Sequence, residues 1–152
     1  MSGNHYENRD AFEDYRNYQG ASPFLRGYVG ALLFGETLFL NDDGEQADPD
    51  EEDGRDIMIL DAGFHWEDFD EDSRGRIVKD CAQFYEANKE DILAYGAEEA
   101  GSDYYFTRQG HGVGYWEEDH GTPEICKRLT EAAKTEGECY VDLNEGKLEY
   151  RS

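Results

Sequence analysis

The chain has 152 residues, of which 37 are acidic and 14 basic, and its formal net charge is −23. A surface this negative repels nucleic acid, disfavours anionic membranes and attracts proteins that present a basic surface. The length suits one domain with a core built from 11 Tyr, 8 Phe and 2 Trp, and no apolar run approaches the ~20 residues that a transmembrane helix needs.

Residues 1–21 mix polar residues with scattered aromatic rings, and we expect a flexible or docked arm there, before a single domain at 22–152. The first predicted helix follows Ser22 and Pro23, a favourable N-cap and N1 pair, because apolar residues then recur at helical spacing. Three glycines weaken this helix, so it must gain stability from packing or accept another backbone close by. A strand within 37–40 is the competing interpretation of the stretch that follows.

The next segment, residues 41–72, carries fifteen acidic residues and one cation, Arg55. Turn signals at its start and at 48–50 favour loop over helix. Short apolar groups at 56–60 and 64–66 interrupt the charge. We therefore expect these carboxylates to be held on the body of the protein.

A single strong helix is predicted over 73–95, with Gly96 as its stop. The helical spacing of apolar residues then stops, and aromatic and β-branched residues cluster at 104–107 and 113–116. These two stretches are predicted to be strands joined by the glycine-rich loop 108–112.

Thr122 and Pro123 repeat the cap-and-proline pair and open a helix that ends at Gly137. Alternation at 139–143 and again at 148–150 predicts a closing hairpin. The C-terminal order is therefore ββαββ. The predicted fold class is α+β, with two or three helices packed on a small antiparallel sheet.

Cysteine and histidine positions do not indicate a metal site. Cys81, Cys126 and Cys139 are far apart and lie in apolar patterns, so we expect reduced core thiols. The histidines lack the spacing of metal ligands, and the stretch 48–54 misses the calcium-loop pattern because its glycine comes one place late. We expect no metal, no cofactor, no catalytic residue and hence no enzyme.

The most patterned local stretch is 107–117, which is rich in glycine. One hypothesis has Arg108 and His111 presented to an anion or a partner carboxylate beside Trp116, which makes these three a secondary loop site. The alternative is a tight hairpin whose glycines satisfy turn geometry and whose tryptophan lies in the core, and the lack of a placed nucleophile favours it. A small-ligand enzyme using Arg108 and His111 would need a concave pocket with converging polar groups.

Four stretches of the C-terminal half carry a resemblance to other proteins: residues 80–88, 103–117, 129–134 and 137–150. Together they resemble a widespread group of short phage and prophage proteins. Residues 103–117 are similar to that group's Thr-Arg-Asn-Gly-His-Gly-Ala-Gly-Phe-Trp-Asp hairpin, with Gln109 where asparagine is usual. Residues 80–88 resemble its central helix, and 129–134 and 137–150 resemble its closing segments in the same order. The resemblance implies a phage origin and a setting in the host cytoplasm, and it transfers no catalytic residue.

The acidic segment has three interpretations: imitation of DNA phosphates by carboxylates on a rigid surface, adaptation to high salt, or a solvated loop without a partner. The first, with the phage resemblance, predicts a phage-encoded DNA mimic that inhibits a host defence complex of CRISPR or restriction type and binds no nucleic acid itself. The residues predicted to contact its basic groove are Asp50, Glu51, Glu52, Asp53, Glu67, Asp68, Asp70, Glu71 and Asp72. Mimicry requires a coherent acidic face, whereas salt adaptation spreads carboxylates around the surface.

Overall fold

The computed structural model describes residues 22–110, 112–117 and 120–152. These residues form five α-helices and two antiparallel sheets of two strands each, so the fold is α+β. The helices are α1 (Pro23–Gly35), α2 (Glu71–Ala87), α3 (Lys89–Tyr95), α4 (Ala97–Gln109) and α5 (Pro123–Glu136). The strands are β1 (Thr37–Leu40), β2 (Arg55–Met58), β3 (Tyr140–Asn144) and β4 (Lys147–Arg151). The predicted N-terminal arm lies outside the described residues.

Helix α1 begins as the sequence predicts. The Ser22 side chain accepts an N–H hydrogen bond from the first turn (3.3 Å), and Pro23 occupies the start of the helix. The helix crosses α4 at Gly27, where a Cβ atom would lie 2.9 Å from the carbonyl carbon of Glu98 and 3.0 Å from the backbone nitrogen of Ser102. The predicted close approach of another backbone is therefore confirmed at Gly27.

The strand that competed with α1 for residues 37–40 is present as β1, since α1 ends at Gly35. It pairs with β2 in an antiparallel hairpin, with Leu40 opposite Arg55 at one end and Thr37 opposite Met58 at the other. The stretch 41–54 between the two strands contains turns and irregular backbone and no helix, as its turn signals predict.

The single helix predicted over 73–95 is instead two helices, α2 and α3. Asn88 separates them, because its backbone leaves the helical region (φ −128°, ψ 24°). Its side-chain amide donates a hydrogen bond to the carbonyl of Phe84 (3.0 Å), which satisfies a carbonyl at the end of α2. Helix α3 then ends at Gly96, the predicted stop.

The predicted hairpin of 104–107 and 113–116 is wrong, and with it the ββαββ order. Residues 104–107 belong to α4, whose buried positions follow a helical period: Ala100, Gly101, Tyr104, Tyr105, Thr107 and Arg108. Gly110 ends this helix in the left-handed region (φ +67°), which glycine adopts without strain. Helical periodicity over the whole of α4 therefore prevails over the strand propensity of its aromatic residues.

The last part of the chain follows the prediction. Thr122 caps α5, which ends at Gly137, and β3 and β4 form the closing hairpin. A bridge between Phe69 and Leu148 links β4 to the segment before α2. The arrangement differs from that expected, because five helices and two separate hairpins replace two or three helices on one sheet.

Aromatic rings form the centre of the core. The rings of Phe84 and Tyr104 stack with centroids 4.1 Å apart, and Tyr28 lies 4.9 Å from Tyr104. The buried apolar side chains form one cluster to which all five helices contribute. The three cysteines are buried and form no disulfide, which confirms the prediction of reduced core thiols.

Candidate partner-binding surface

We call residues 41–54, between β1 and β2, the acidic loop. It contains eight acidic residues and neither lysine nor arginine. Its first half is a compact turn, because the side-chain oxygen of Asn41 accepts hydrogen bonds from the backbone N–H groups of Asp43 and Glu45, each at 3.0 Å. The backbone N–H of Asn41 also donates to the carbonyl of Glu45 (2.9 Å). The chain direction at the start of the loop is thus fixed locally.

Two acidic side chains join the second half of this loop to the first. Glu51 accepts hydrogen bonds from the side-chain amide of Asn41 (3.4 Å) and from the backbone N–H of Asp48. Asp53 accepts one from the backbone N–H of Asp42 (3.0 Å). These bonds close the loop on itself. Glu51 and Asp53, both predicted to contact a partner, therefore also hold the shape of the loop.

Other carboxylates of the acidic loop project into solvent. Asp50 and Glu52, from the predicted set, are exposed, and so are Asp43, Glu45 and Asp48. The single cation of the wider segment, Arg55, pairs with Asp42 at 2.7 Å, and both side chains are exposed. The loop therefore presents most of its negative charge uncompensated, on a backbone tied by its own hydrogen bonds.

The second group of predicted residues, 67–72, surrounds the start of α2. Asp68 accepts a hydrogen bond from the backbone N–H of His65 (2.8 Å), and Asp70 caps α2 by accepting one from the N–H of Ser73 (2.7 Å). Partial burial acts to raise the pKa of Asp70, but the Ser73 hydrogen bonds outweigh it and hold this pKa below its ordinary value. The members that are exposed are Glu67, Glu71 and Asp72.

This second group is bound to the body of the protein and lies beside positive charge. The Arg74 guanidinium donates hydrogen bonds to the carbonyls of Phe69 (2.6 Å) and Glu67 (3.3 Å). The backbone N–H of Asp70 donates to the carbonyl of Leu148 on β4 (3.0 Å). Arg74 therefore compensates part of the local negative charge, as Arg55 does for Asp42 of the acidic loop.

The two acidic groups are separate units in the fold. The acidic loop leaves the β1–β2 hairpin at its Leu40–Arg55 end, whereas the chain runs on to residues 67–72 from the opposite end. None of the hydrogen bonds described above joins one group to the other. Each group is therefore a candidate surface in its own right.

Acidity is concentrated in the segment 42–72 but is not confined to it. That segment has fifteen acids against one cation, whereas residues 73–152 have seventeen against ten. Exposed carboxylates also occur on four of the five helices, at Glu86, Glu90, Glu98, Glu124 and Glu131 among others, while α1 has no acidic residue. The distribution thus combines one dense region with a general excess of acid.

Arg108 does not lie in a loop, which corrects the expectation for the secondary site. It occupies the last turn of α4, and its side chain is 1% exposed. Its Nε donates to the carbonyl of Gly137 (2.7 Å), and its Nη1 donates to the hydroxyl oxygens of Tyr28 (3.0 Å) and Tyr150 (3.2 Å). The Tyr150 hydroxyl donates in turn to Asp80 (2.7 Å), which forms an ion pair with Arg108 at 3.4 Å. The guanidinium joins α1, α2, α4 and β4 inside the fold.

The environment of Arg108 keeps its charge in place. Burial acts to lower the pKa of the guanidinium, but the surrounding tyrosine oxygens, Tyr28 first, offset this and raise that pKa above its ordinary value. Burial likewise raises the pKa of the Tyr28 and Tyr150 hydroxyls, and it raises the pKa of the Cys139 thiol to about 11. A buried charge that is paired and hydrogen-bonded in this way supports the fold and is inaccessible to a ligand.

Trp116, a second member of the secondary site, lies at the protein surface. Trp116 is 38% exposed in a short 3-10 helix, Tyr115–Glu117, with Lys134 Nζ 5.6 Å from the centre of its ring, so a core position for it is wrong. Tyr115 is buried instead, and its hydroxyl donates to the carbonyl of Ala100. His111 lies outside the described residues.

Two clefts formed by described residues lie away from Arg108. One of about 370 Å³ follows the crossing of α1 and α4, and one of about 680 Å³ adjoins the acidic loop. The second contains Phe39 and Asp56, which sequence reasoning did not select. The sequence offers no local signal for this position, because residues 38–40 are all apolar and only the pairing of β1 turns Phe39 away from the core.

Comparison of the chain with protein-family models, with curated proteins and with solved structures gave no match. In the described part of the chain, no helix is both long and apolar enough to span a bilayer. The geometry and charge of the acidic loop are therefore the basis for a functional proposal.

Proposed function

We propose that the protein acts by binding and inhibits a host nucleic-acid-handling defence complex, of CRISPR or restriction type, by presenting its acidic loop to the groove that normally holds DNA. The observation that carries the proposal is the loop itself, in which exposed carboxylates stand on a backbone closed by internal hydrogen bonds. A solvated charge run without a partner does not need such an ordered backbone.

Duplex DNA carries one negative charge per about 1.7 Å of its axis, and proteins that bind it are drawn largely by this charge. A loop with eight acids and no cation offers the same sign of charge at high density. Because the loop is ordered before binding, less conformational entropy is lost when a basic groove closes on it. Fixed carboxylates can therefore compete with phosphates for one groove.

We assign the predicted contact residues different roles according to their exposure and their hydrogen bonds. Asp50 and Glu52 are exposed and are the leading contacts, together with Asp43, Glu45 and Asp48 of the same loop. Glu67, Glu71 and Asp72 form a second exposed group at the start of α2. Residues that accept structural hydrogen bonds position these groups: Glu51, Asp53, Asp68 and Asp70.

The experiment is an affinity pull-down of the tagged protein from host lysate at low and at high salt, with duplex DNA as a competitor and mass spectrometry of the bound fraction. We expect a nuclease or another nucleic-acid-binding complex that is released by salt and displaced by DNA. Recovery only of partners that DNA does not displace, or of none, contradicts the proposal.

A matched pair of variants separates loop-specific binding from general acidity. The loop variant is Asp43→Asn, Asp50→Asn and Glu52→Gln; the control is Glu98→Gln, Glu124→Gln and Glu131→Gln, which removes the same charge from helices. We expect the loop variant to bind the recovered partner much more weakly and the control to bind it almost as the parent does. If both variants lose the same affinity for the partner, the attraction is due to the overall charge of the protein and not to the loop.

Adaptation to high salt is the second candidate, and the exposed carboxylates on four helices favour it. It predicts that the protein unfolds at low ionic strength, because self-repulsion at a net charge of −23 is then unscreened. Thermal unfolding followed by circular dichroism from low to molar KCl tests this directly. A cooperative unfolding transition that persists at low salt opposes adaptation to high salt.

A further inference from the structure

The larger cleft lies where the acidic loop meets the β1–β2 hairpin, and its volume is about 680 Å³. Its lining residues are Phe39, Gln46, Ala47, Asp48, Pro49 and Asp56. There is neither lysine nor arginine among these described residues. The cleft therefore combines apolar surface with the carboxylates of Asp48 and Asp56, and the described residues of its lining include no basic residue to pair with them.

The hairpin register places an aromatic ring and a carboxylate together in this cleft. Phe39 and Asp56 are directly opposite each other in the β1–β2 ladder, so their side chains stand on the same face of the hairpin. Leu38 and Leu40, its neighbours in β1, are buried in the core, whereas Phe39 is only partly buried. A phenylalanine with exposed ring surface is thus held at the margin of the most acidic part of the chain.

The absence of a side chain at Gly54 makes room for this ring. A Cβ atom there would lie 2.7 Å from two ring carbons of Phe39 and 3.1 Å from the Cβ of Ala47. The ring therefore rests on the Gly54 backbone, and the rest of its surface lines the cleft. Preorganised aromatic surface of this kind favours a ligand that stacks.

An aromatic ring flanked by carboxylates matches one side chain better than any other. The arginine guanidinium is planar, stacks on aromatic faces, and donates hydrogen bonds in a fork that suits a carboxylate. A lysine ammonium is a compact and strongly hydrated charge, and it gains less from the ring. Apolar ligands are disfavoured by Asp48 and Asp56, which would lose hydration on burial without a cation to pair with.

We propose that this cleft binds an arginine side chain of the partner protein, with the guanidinium against Phe39 and its N–H groups directed to Asp48 and Asp56. The inference rests on the proposed function for the identity of the partner, since basic grooves that bind DNA are rich in arginine. An arginine bound in this cleft would hold the partner in place after the acidic loop has attracted it, because buried arginines are frequent hot spots of interfaces.

The chemistry of the cleft is tested first without any partner. The ¹⁵N-labelled protein is titrated with N-acetyl-arginine amide and, separately, with N-acetyl-lysine amide, and amide shifts are followed by NMR. We expect saturable shifts centred on Phe39, Ala47 and Asp56 and an affinity for arginine at least about threefold higher than for lysine, the worth of one exposed cation–π contact. Equal affinities, or shifts spread evenly over the acidic surface, overturn the proposal.

Variants then assign the two halves of the site. Phe39→Leu retains an apolar side chain and the net charge, and it should remove the preference for arginine over lysine. Asp56→Asn should weaken arginine binding by about tenfold, through loss of a charged hydrogen bond. Asp61→Asn, which changes an exposed carboxylate outside the cleft, is the matched control and should bind arginine as the parent does. Unchanged amide shifts outside the hairpin verify that each variant remains folded.

Failure of this inference is distinguishable from failure of the proposed function. If Phe39→Leu binds the recovered partner as tightly as the parent while the three-residue loop variant does not, the arginine anchor is refuted and charge-driven binding stands. If the cleft binds arginine amide selectively but the pull-down yields no partner that DNA displaces, the cleft stands and DNA mimicry is refuted.

Discussion

Replacement of Gly27 by alanine, compared with the same change at Gly30, tests how closely α1 and α4 must approach. Both glycines lie within α1, three residues apart. A Cβ atom at Gly27 would lie 2.9 Å from the Glu98 carbonyl carbon and still closer to its oxygen, whereas a Cβ at Gly30 meets nothing within 4 Å. The obstacle at Gly27 is backbone, so no side-chain rotation relieves the overlap.

The expected changes in the free energy of unfolding follow from two opposing effects. Alanine stabilises a helix interior by about 1 kcal/mol relative to glycine, and this gain applies to both variants. Overpacking costs about 1–3 kcal/mol, and a backbone contact belongs at the upper end of that range. We therefore expect Gly30→Ala to stabilise the fold by up to ~1 kcal/mol and Gly27→Ala to destabilise it by about 2 kcal/mol.

The assay is urea and thermal unfolding of both variants and the parent, followed by circular dichroism. A difference of about 3 kcal/mol corresponds to melting temperatures roughly 6–12 °C apart for a domain of this size. The reciprocal change, Gly101→Ala, should destabilise the fold as well, because a Cβ there meets the backbone of Phe24 and lies 3.0 Å from the nitrogen of Tyr28. Equal stabilities of Gly27→Ala and Gly30→Ala would refute the close helix crossing.

Three further predictions concern buried and charged groups. Arg108→Ala should destabilise the protein by about 3–5 kcal/mol in urea unfolding, since it leaves its buried partners uncompensated, whereas Arg128→Ala, which breaks the exposed pair with Asp91, should change stability little. Asp70→Asn keeps the helix cap but removes its charge. Because the pKa of Asp70 is lowered in the folded protein, the carboxylate stabilises the fold at pH values above its unfolded-state pKa of about 3.9. This stabilisation is lost as the pH falls through the folded-state pKa. The variant should therefore be less stable at neutral pH and lose less stability towards pH ~2, and parallel melting curves for variant and parent would contradict this. The three buried thiols should resist a thiol reagent in the native protein and react together on unfolding, and rapid reaction of the folded protein would argue against their burial.

The sequence predicted those elements whose signals are local and complete. Ser22 and Pro23 gave the start of α1, and Thr122 and Pro123 the start of α5, because a capping side chain and a proline at N1 act within one turn. The closing hairpin followed from alternation. Glycines in α1 also predicted either stabilisation by packing or a close backbone neighbour, although the sequence does not say that this neighbour is α4.

The failures have a common physical origin in tertiary packing. Tyr104 and Tyr105 have strand propensity, yet both are buried on one face of α4, where they pack against α1 and α2. Arg108 adjoins a glycine-rich loop in sequence but is drawn into the core by tyrosines from distant elements, such as Tyr150. Such long-range partners leave no local pattern.

The acidic segment also has some features that the sequence indicates and others that depend on the fold. Charge density identified the segment, and the short apolar groups indicated that it is attached to the body of the protein. Pairings such as Glu51 with Asn41 were not predictable, because a hydrogen bond across a loop depends on the path of its backbone. For the same reason the sequence could not separate exposed carboxylates such as that of Asp50 from those that hold the loop, such as that of Asp53.

The most direct test of charge-driven binding by the acidic loop is the salt dependence of affinity for the partner recovered in the pull-down, measured by isothermal titration calorimetry. The account predicts that the logarithm of the association constant falls linearly with the logarithm of salt concentration. It also predicts a clearly shallower slope for the variant with Asp43→Asn, Asp50→Asn and Glu52→Gln. The same slope for that variant and the parent, or an affinity that salt does not change, would contradict it.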